Sequence, residues 1–112
     1  MKNRLIPILA AGAGVVAFLL GSNAAFAASN GAELAQKNGC LACHSVDNKI
    51  LGPAYKDVAK KYKGNADAVA MLSKKIKEGG AGVWGPIPMP ANGPRVSDAD
   101  IKLLAEWVLA IK

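Results

Sequence analysis

Cys40-Leu41-Ala42-Cys43-His44 holds both cysteines and the single histidine of the chain. C-x-x-C-H is the sequence that attaches haem c, and the chemistry needs each part of it. Two thiols add across the two vinyl groups of the ring and form thioethers. Two intervening residues let both sulfurs reach one edge of the macrocycle. The residue after the second cysteine then lies under the ring, so His44 reaches the iron through its imidazole. The stretch predicts one covalent haem c, bound by Cys40 and Cys43, with His44 as an axial ligand.

Three blander uses of these residues compete. A thioredoxin-like dithiol needs a βαβ setting, and no stretch of the chain alternates convincingly like a strand. A structural zinc site wants four ligands; two cysteines and one histidine fall short, and adjacent Cys43 and His44 chelate poorly. A plain disulfide across C-x-x-C closes so short a loop that it constrains the unfolded chain little.

On the N-terminal side, Lys2 and Arg4 form a positive start, Leu5 to Leu20 is uncharged and apolar or small, and Ala25-Phe26-Ala27 is a small-residue cleavage site. That is the layout of a secretory signal peptide over residues 1–27. The competing reading is an uncleaved anchor, since Leu5–Leu20 is near the short limit for a membrane span. Cleavage after Ala27 leaves 28–112 as one small domain. A chain of that size is marginal for a core of its own and gains from a bound cofactor.

On the C-terminal side the periodicities are helical. A first helix is expected over 28–39, capped by Asn30 and broken by Gly39. A second starts at Pro53, a residue tolerated in the first turn, with Tyr55, Val58, Ala59 and Tyr62 on one face. A third follows Asn65, carries Val69, Leu72 and Ile76 on one stripe, and stops at Gly79-Gly80. Ser97-Asp98-Ala99-Asp100 reads as a capping box. It opens a last helix with Ile101, Leu104, Val108 and Ile111 inward and Trp107 beside them. Between the last two helices, residues 82–95 are rich in glycine and proline and are predicted to be irregular. A loop of that length is usually functional. The domain is expected to be all-α, about four short helices wrapped around one haem.

With His44 the only histidine, the second axial ligand comes from methionine, lysine, water or an external molecule. Met71 sits in a helix and reads as packing. Met89 sits in Pro86-Ile87-Pro88-Met89-Pro90, where the flanking prolines stiffen the backbone. Met89 is the candidate ligand, and Met/His ligation raises the reduction potential.

At this point the chain resembles the short bacterial class I cytochromes c, in particular the cytochrome c-551 type that donates electrons to periplasmic nitrite reductase. The likeness rests on residues 39–44 (Gly-Cys-Leu-Ala-Cys-His) and 52–58 (Gly-Pro-Ala-Tyr-Lys-Asp-Val). It also rests on residues 82–90 (Gly-Val-Trp-Gly-Pro-Ile-Pro-Met-Pro) and on Trp107-Val108. The resemblance implies that the Pro53 carbonyl accepts the Nδ1–H of His44. It implies that Trp84 donates its indole N–H to a haem propionate, that Lys75 is a basic propionate partner, and that Asn92 hydrogen-bonds the Met89 sulfur. It implies an exposed haem edge rimmed by Leu41, Ala42, Ile50, Pro86, Ile87 and Ala91. Two departures stand out. Ala35 is small near where family members often place an aromatic that packs on the last helix, so either Trp107 fills the gap or the packing there is looser, and the loop Ala91–Val96 is extended by Gly93-Pro94 or nearby residues.

The chain carries 14 basic against 8 acidic residues, a net charge of +6. Losing Lys2 and Arg4 leaves about +4 in residues 28–112. The lysines are dispersed, only one arginine lies beyond residue 27, and export argues against nucleic acid. A diffuse positive face for transient docking of acidic redox proteins fits better. The expected function is a periplasmic single-electron carrier, monomeric, free of the membrane once cleaved, and not an enzyme. It would link respiratory complexes to a terminal reductase or oxidase. An open sixth site would instead suit a haem peroxidase or gas sensor.

Overall fold

The structure, a computed structural model, describes residues 12, 14 and 23–112. The helices are α1 (Asn23–Lys37), α2 (Tyr55–Lys61), α3 (Ala68–Glu78) and α4 (Asp98–Leu109), with one turn of 3-10 helix at Cys40–Ala42. The described residues contain no strand, only two isolated antiparallel bridges, His44 with Lys49 and Gly80 with Met89. The all-α expectation holds.

The organising element is α4, which packs against α1, α2 and α3. Ile101, Leu104, Ala105 and Val108 are its buried positions. Their spacing places them on one face of a 3.6-residue helix. Ile101 and Leu104 join Ala35 of α1 and Val96, with Ile76 of α3 and Cys40 at the edge. Val108 joins Tyr55 and Val58 of α2, with Leu72 and Ile111 at the edge. Burying side chains such as Ile101 and Leu104 stabilises the fold by roughly 1.5–3 kcal/mol each. Trp107 packs on both clusters. It also lies over Gly31, where any Cβ would overlap the indole. The small residues Gly31 and Ala35 thus let α1 approach α4, and Trp107 supplies the bulk between them.

Each helix end has a local cause. The Ser97 hydroxyl accepts the Asp100 N–H at 3.2 Å, and Asp98 and Asp100 in the first turn suit the helix dipole. Gly79 ends α3 at φ 72°, its N–H on the Lys75 carbonyl at 2.8 Å. The positive φ and the Met89 carbonyl pressed against its α-carbon both demand glycine there.

Three boundaries differ from the sequence expectation. The first helix begins at Asn23, so Asn30 lies inside it and does not cap it; the alanine-rich stretch before Asn30 propagates the helix. The second begins at Tyr55, two residues after Pro53, because the first two helical N–H groups bond the Ser45 and Val46 carbonyls at 2.9 and 3.0 Å. The third begins at Ala68. Asn65 instead accepts the Asp67 N–H at 2.9 Å, a turn leading into the helix. Of the expected export signal, Leu5–Leu20 lies outside the described residues except for positions 12 and 14. No helix of the described residues is long and apolar enough to cross a membrane.

Candidate functional site

Gly39, at φ 75°, turns the chain out of α1 and into the 3-10 turn that carries Cys40. The Cys43 and His44 N–H groups both bond the Cys40 carbonyl, at 3.2 and 3.0 Å. Cys40 and Cys43 are half-buried free thiols, with no disulfide between them. Burial pushes the Cys40 thiol above its ordinary pKa, partly opposed by the Arg95 guanidinium.

The segment after the motif folds back over His44. The Gly52 N–H reaches the Cys43 carbonyl at 2.7 Å. Nδ1 of His44 lies 2.8 Å from the Pro53 carbonyl oxygen. A carbonyl only accepts, so the proton sits on Nδ1 and the Nε2 lone pair remains available. Gly52 lies against the imidazole with no room for a Cβ, and the Tyr55 ring stacks on it at 5.0 Å and 18°. Burial, with the neighbouring thiols, holds the Tyr55 phenol well above its ordinary pKa. Cys40, Cys43, His44 and Pro53 thus form one constellation.

Met89 belongs to a second. It is half-buried and exchanges two backbone hydrogen bonds with Gly80, at 2.8 and 3.0 Å. The loop then closes onto the end of α3, where the Asn92 and Gly93 N–H groups bond the Ile76 and Lys77 carbonyls, both at 3.1 Å. These last-turn carbonyls lack partners within the helix. Asn92 is 9% exposed. Its amide nitrogen donates to the Ile76 and Pro90 carbonyls at 3.0 and 3.4 Å, and its Oδ1 accepts from Arg95 at 2.7 Å. The expected bond from Asn92 to the methionine sulfur is therefore not formed here. The Ile76 carbonyl at the helix end and the Pro90 carbonyl in the loop take the amide hydrogens.

Lys75 is half-buried, with its ammonium beside Gly80, the pairing partner of Met89. It takes part in none of the three ion pairs among the described residues, which are Lys56–Asp47, Lys77–Asp98 and Lys102–Glu106. Trp84 makes no hydrogen bond to either constellation among the described residues. It is 38% exposed, with the Lys61 ammonium 5.3 Å from its ring centre. Its indole N–H has no hydrogen-bond partner among the described residues. Asn38 and Arg95 are contacts the sequence reading did not single out, and Gly52 and Tyr55 entered it only as motif or helix-face residues, not as neighbours of His44. The one available signal was that Arg95 is an arginine in a domain otherwise charged by lysine, and a guanidinium is the side chain suited to two directed bonds.

These residues fit a haem. Two unpaired thiols flank an imidazole whose Nε2 is free, and a half-buried ammonium lacks a carboxylate. Leu41, Ile50, Leu51, Val83 and Ile87 are exposed large apolar side chains.

Residues 28–112 match the family model described as cytochrome c. The chain is 57% identical over 81 residues to cytochrome c-552 of Nitrosomonas europaea, covering 72% of this chain and 78% of that one. It is 56% identical over 79 residues to cytochrome c-551 of Pseudomonas aeruginosa, covering 70% and 74%. The crystal structure of the Nitrosomonas europaea cytochrome c552 superposes with a TM-score of 0.69, covering 72% of this chain and 99% of that chain.

Proposed function

The chain belongs to the cytochrome c family and is an electron-transfer protein with covalent haem c, not an enzyme; on that premise we propose a periplasmic one-electron carrier with His44/Met89 axial ligation. The haem, once bound, supplies a one-electron Fe(III)/Fe(II) couple. Cys40 and Cys43 hold it as thioethers. His44 presents Nε2 to the iron because Pro53 holds the opposite nitrogen, which fixes the ring and raises its basicity. The observation that carries the His44 assignment is the 2.8 Å contact between Nδ1 and the Pro53 oxygen.

Met89 as the second ligand is supported by its backbone pairing to Gly80 and by the prolines on both sides. Backbone order at that point lets a weak thioether stay bound without a large rearrangement between oxidation states. Lys75 and the Trp84 indole N–H are proposed to meet the propionates, since among the described residues Lys75 forms no ion pair and the indole N–H no hydrogen bond. Residues 1–27 are proposed to direct export and to be removed, leaving a monomeric domain of residues 28–112.

Electron exchange is proposed to run outer-sphere through the exposed edge near Leu41, Ala42, Ile50, Pro86, Ile87 and Ala91. A small apolar rim surrounded by dispersed lysines suits brief docking of an acidic partner, with charge setting the on-rate. A terminal reductase such as nitrite reductase, or an oxidase, is the proposed acceptor. The visible spectrum of the periplasmically expressed protein tests the ligation. Sharp c-type bands on reduction, with a weak long-wavelength sulfur-to-iron band when oxidised, are expected. A c-type spectrum lacking that band would rule out Met89. Ile87→Glu is expected to slow transfer to the physiological acceptor, and an unchanged rate would exclude this edge.

A further inference from the structure

Arg95 is the single arginine beyond Arg4 in a chain with 14 basic residues. Its guanidinium forks. One nitrogen donates to Asn92 Oδ1 at 2.7 Å and the other reaches Asn38 Oδ1 at 3.4 Å. Asn38 follows α1 directly and anchors itself on the Leu34 carbonyl, by its side chain at 2.9 Å and its backbone at 3.0 Å. It is two residues from Cys40. Asn92 is buried three residues after Met89 and is tied to the end of α3.

The Arg95–Asn38 bond is the one hydrogen bond, among the described residues, that joins the segment entering the cysteine motif to the loop carrying Met89, and the Arg95–Asn92 bond ties the guanidinium to the buried part of that loop. Apolar packing of Val96 and Cys40 on one cluster adds contact but no direction. We propose that Arg95 is a positioning residue that clamps the Met89 loop to the haem-attachment segment and so keeps the thioether on the iron against external ligands. The proposal rests on Met89 being the second ligand.

A loop that swings Met89 away from the haem face draws Asn92 off Ile76 and Arg95 off Asn38. Without the guanidinium, Oδ1 of Asn92 is left buried without its donor, and the closed loop loses that stabilisation relative to the open one. Lysine cannot substitute, because a single ammonium lacks the planar fork that spans both asparagines. Arg95 makes no ion pair with a carboxylate among the described residues, so its hydrogen bonds, rather than a salt bridge, carry the effect.

The test is imidazole titration of the ferric holoprotein, read by loss of the sulfur-to-iron band. Arg95→Ala is expected to raise the apparent imidazole affinity about fivefold, the net effect of one hydrogen bond from an exposed guanidinium acting on loop opening. Arg95→Lys is expected to resemble Arg95→Ala. Asn38→Ala is expected to act in the same direction more weakly, and adding it to Arg95→Ala should change nothing further. Val108→Ala, in the other core cluster, is expected to lower overall stability and leave imidazole affinity near wild type. Wild-type affinity in both Arg95→Ala and Asn38→Ala would overturn the clamp. So would an increase in Val108→Ala that matches its stability loss in the same proportion. A wild-type protein without the sulfur-to-iron band would instead overturn Met89 ligation itself, and the clamp with it.

Discussion

Nδ1 of His44 lies 2.8 Å from the carbonyl oxygen of Pro53, with Gly52 against one part of the imidazole and the Tyr55 ring stacked on it at 5.0 Å. Proline has no N–H to offer the ladder of α2, and its carbonyl is turned to the histidine before the helix begins. The ring is therefore constrained by one directed bond and by two neighbours that leave it little rotation.

Gly52→Ala tests that constraint. A Cβ would sit 2.5 Å from Cε1 and 2.8 Å from Nδ1 of His44, so the ring or the loop must move. A loss of about 1–3 kcal/mol is expected from the forced shift, together with a changed reduction potential. Denaturant unfolding and voltammetry of the holoprotein check both. A protein of wild-type stability and potential would show that the loop gives way without disturbing the imidazole.

Met89→Ala is expected to convert the ferric iron from low to high spin and to lower the potential. The fall should be on the order of 0.1 V, a fraction of the roughly 0.8 V that axial ligation spans. Magnetic and optical spectra report the spin state. An unchanged potential would eliminate Met89 as the ligand.

Trp107 joins both core clusters and meets Tyr55 edge-on at 5.2 Å and 74°. Trp107→Ala is expected to cost about 3 kcal/mol in denaturant unfolding. Gly31→Ala should also destabilise, because its methyl overlaps the indole. In a Trp107→Gly background the same change should be far milder, since both the Trp107 Cβ and the indole that crowd position 31 are then gone. Simple addition of the two losses would contradict the packing of α1 on Trp107.

Tyr55 carries a pH signature. Its phenol is held above the ordinary value by burial, so the folded chain keeps a proton that the unfolded chain releases near pH 10. The folded state then binds more protons, and its stability falls as pH rises above about 10, by at most about 1.4 kcal/mol per pH unit. Below that pH the contribution is fully present. Stability of wild type and Tyr55→Phe, compared from pH 7 to 11, should diverge only in the alkaline part. Parallel curves would show that Tyr55 titrates freely.

Much of the site was legible in one dimension because its chemistry is local. Cys40, Cys43 and His44 lie within five residues, and only covalent haem attachment uses that spacing with the rest of the composition. The Pro53 contact with His44 was legible through the resemblance, and Met89 is proposed as a ligand from the resemblance and from its prolines. Helix existence followed from periodicity, while helix starts did not. Tyr55 begins α2 because the Ser45 and Val46 carbonyls reach its first N–H groups, and that pairing depends on how the loop folds back.

The amino-acid sequence by itself therefore determined the haem, its attachment and the all-α class, and it singled out His44 as the proposed first iron ligand, since each depends on residue identity at short fixed spacing. Only the tertiary structure decided which polar groups meet. Asn92 turns its amide to Ile76 and Pro90, Arg95 bridges Asn92 to Asn38, and Trp107 fills the space over Gly31. Those choices depend on donors and acceptors brought together from distant positions, and no spacing along the chain encodes which of them meet.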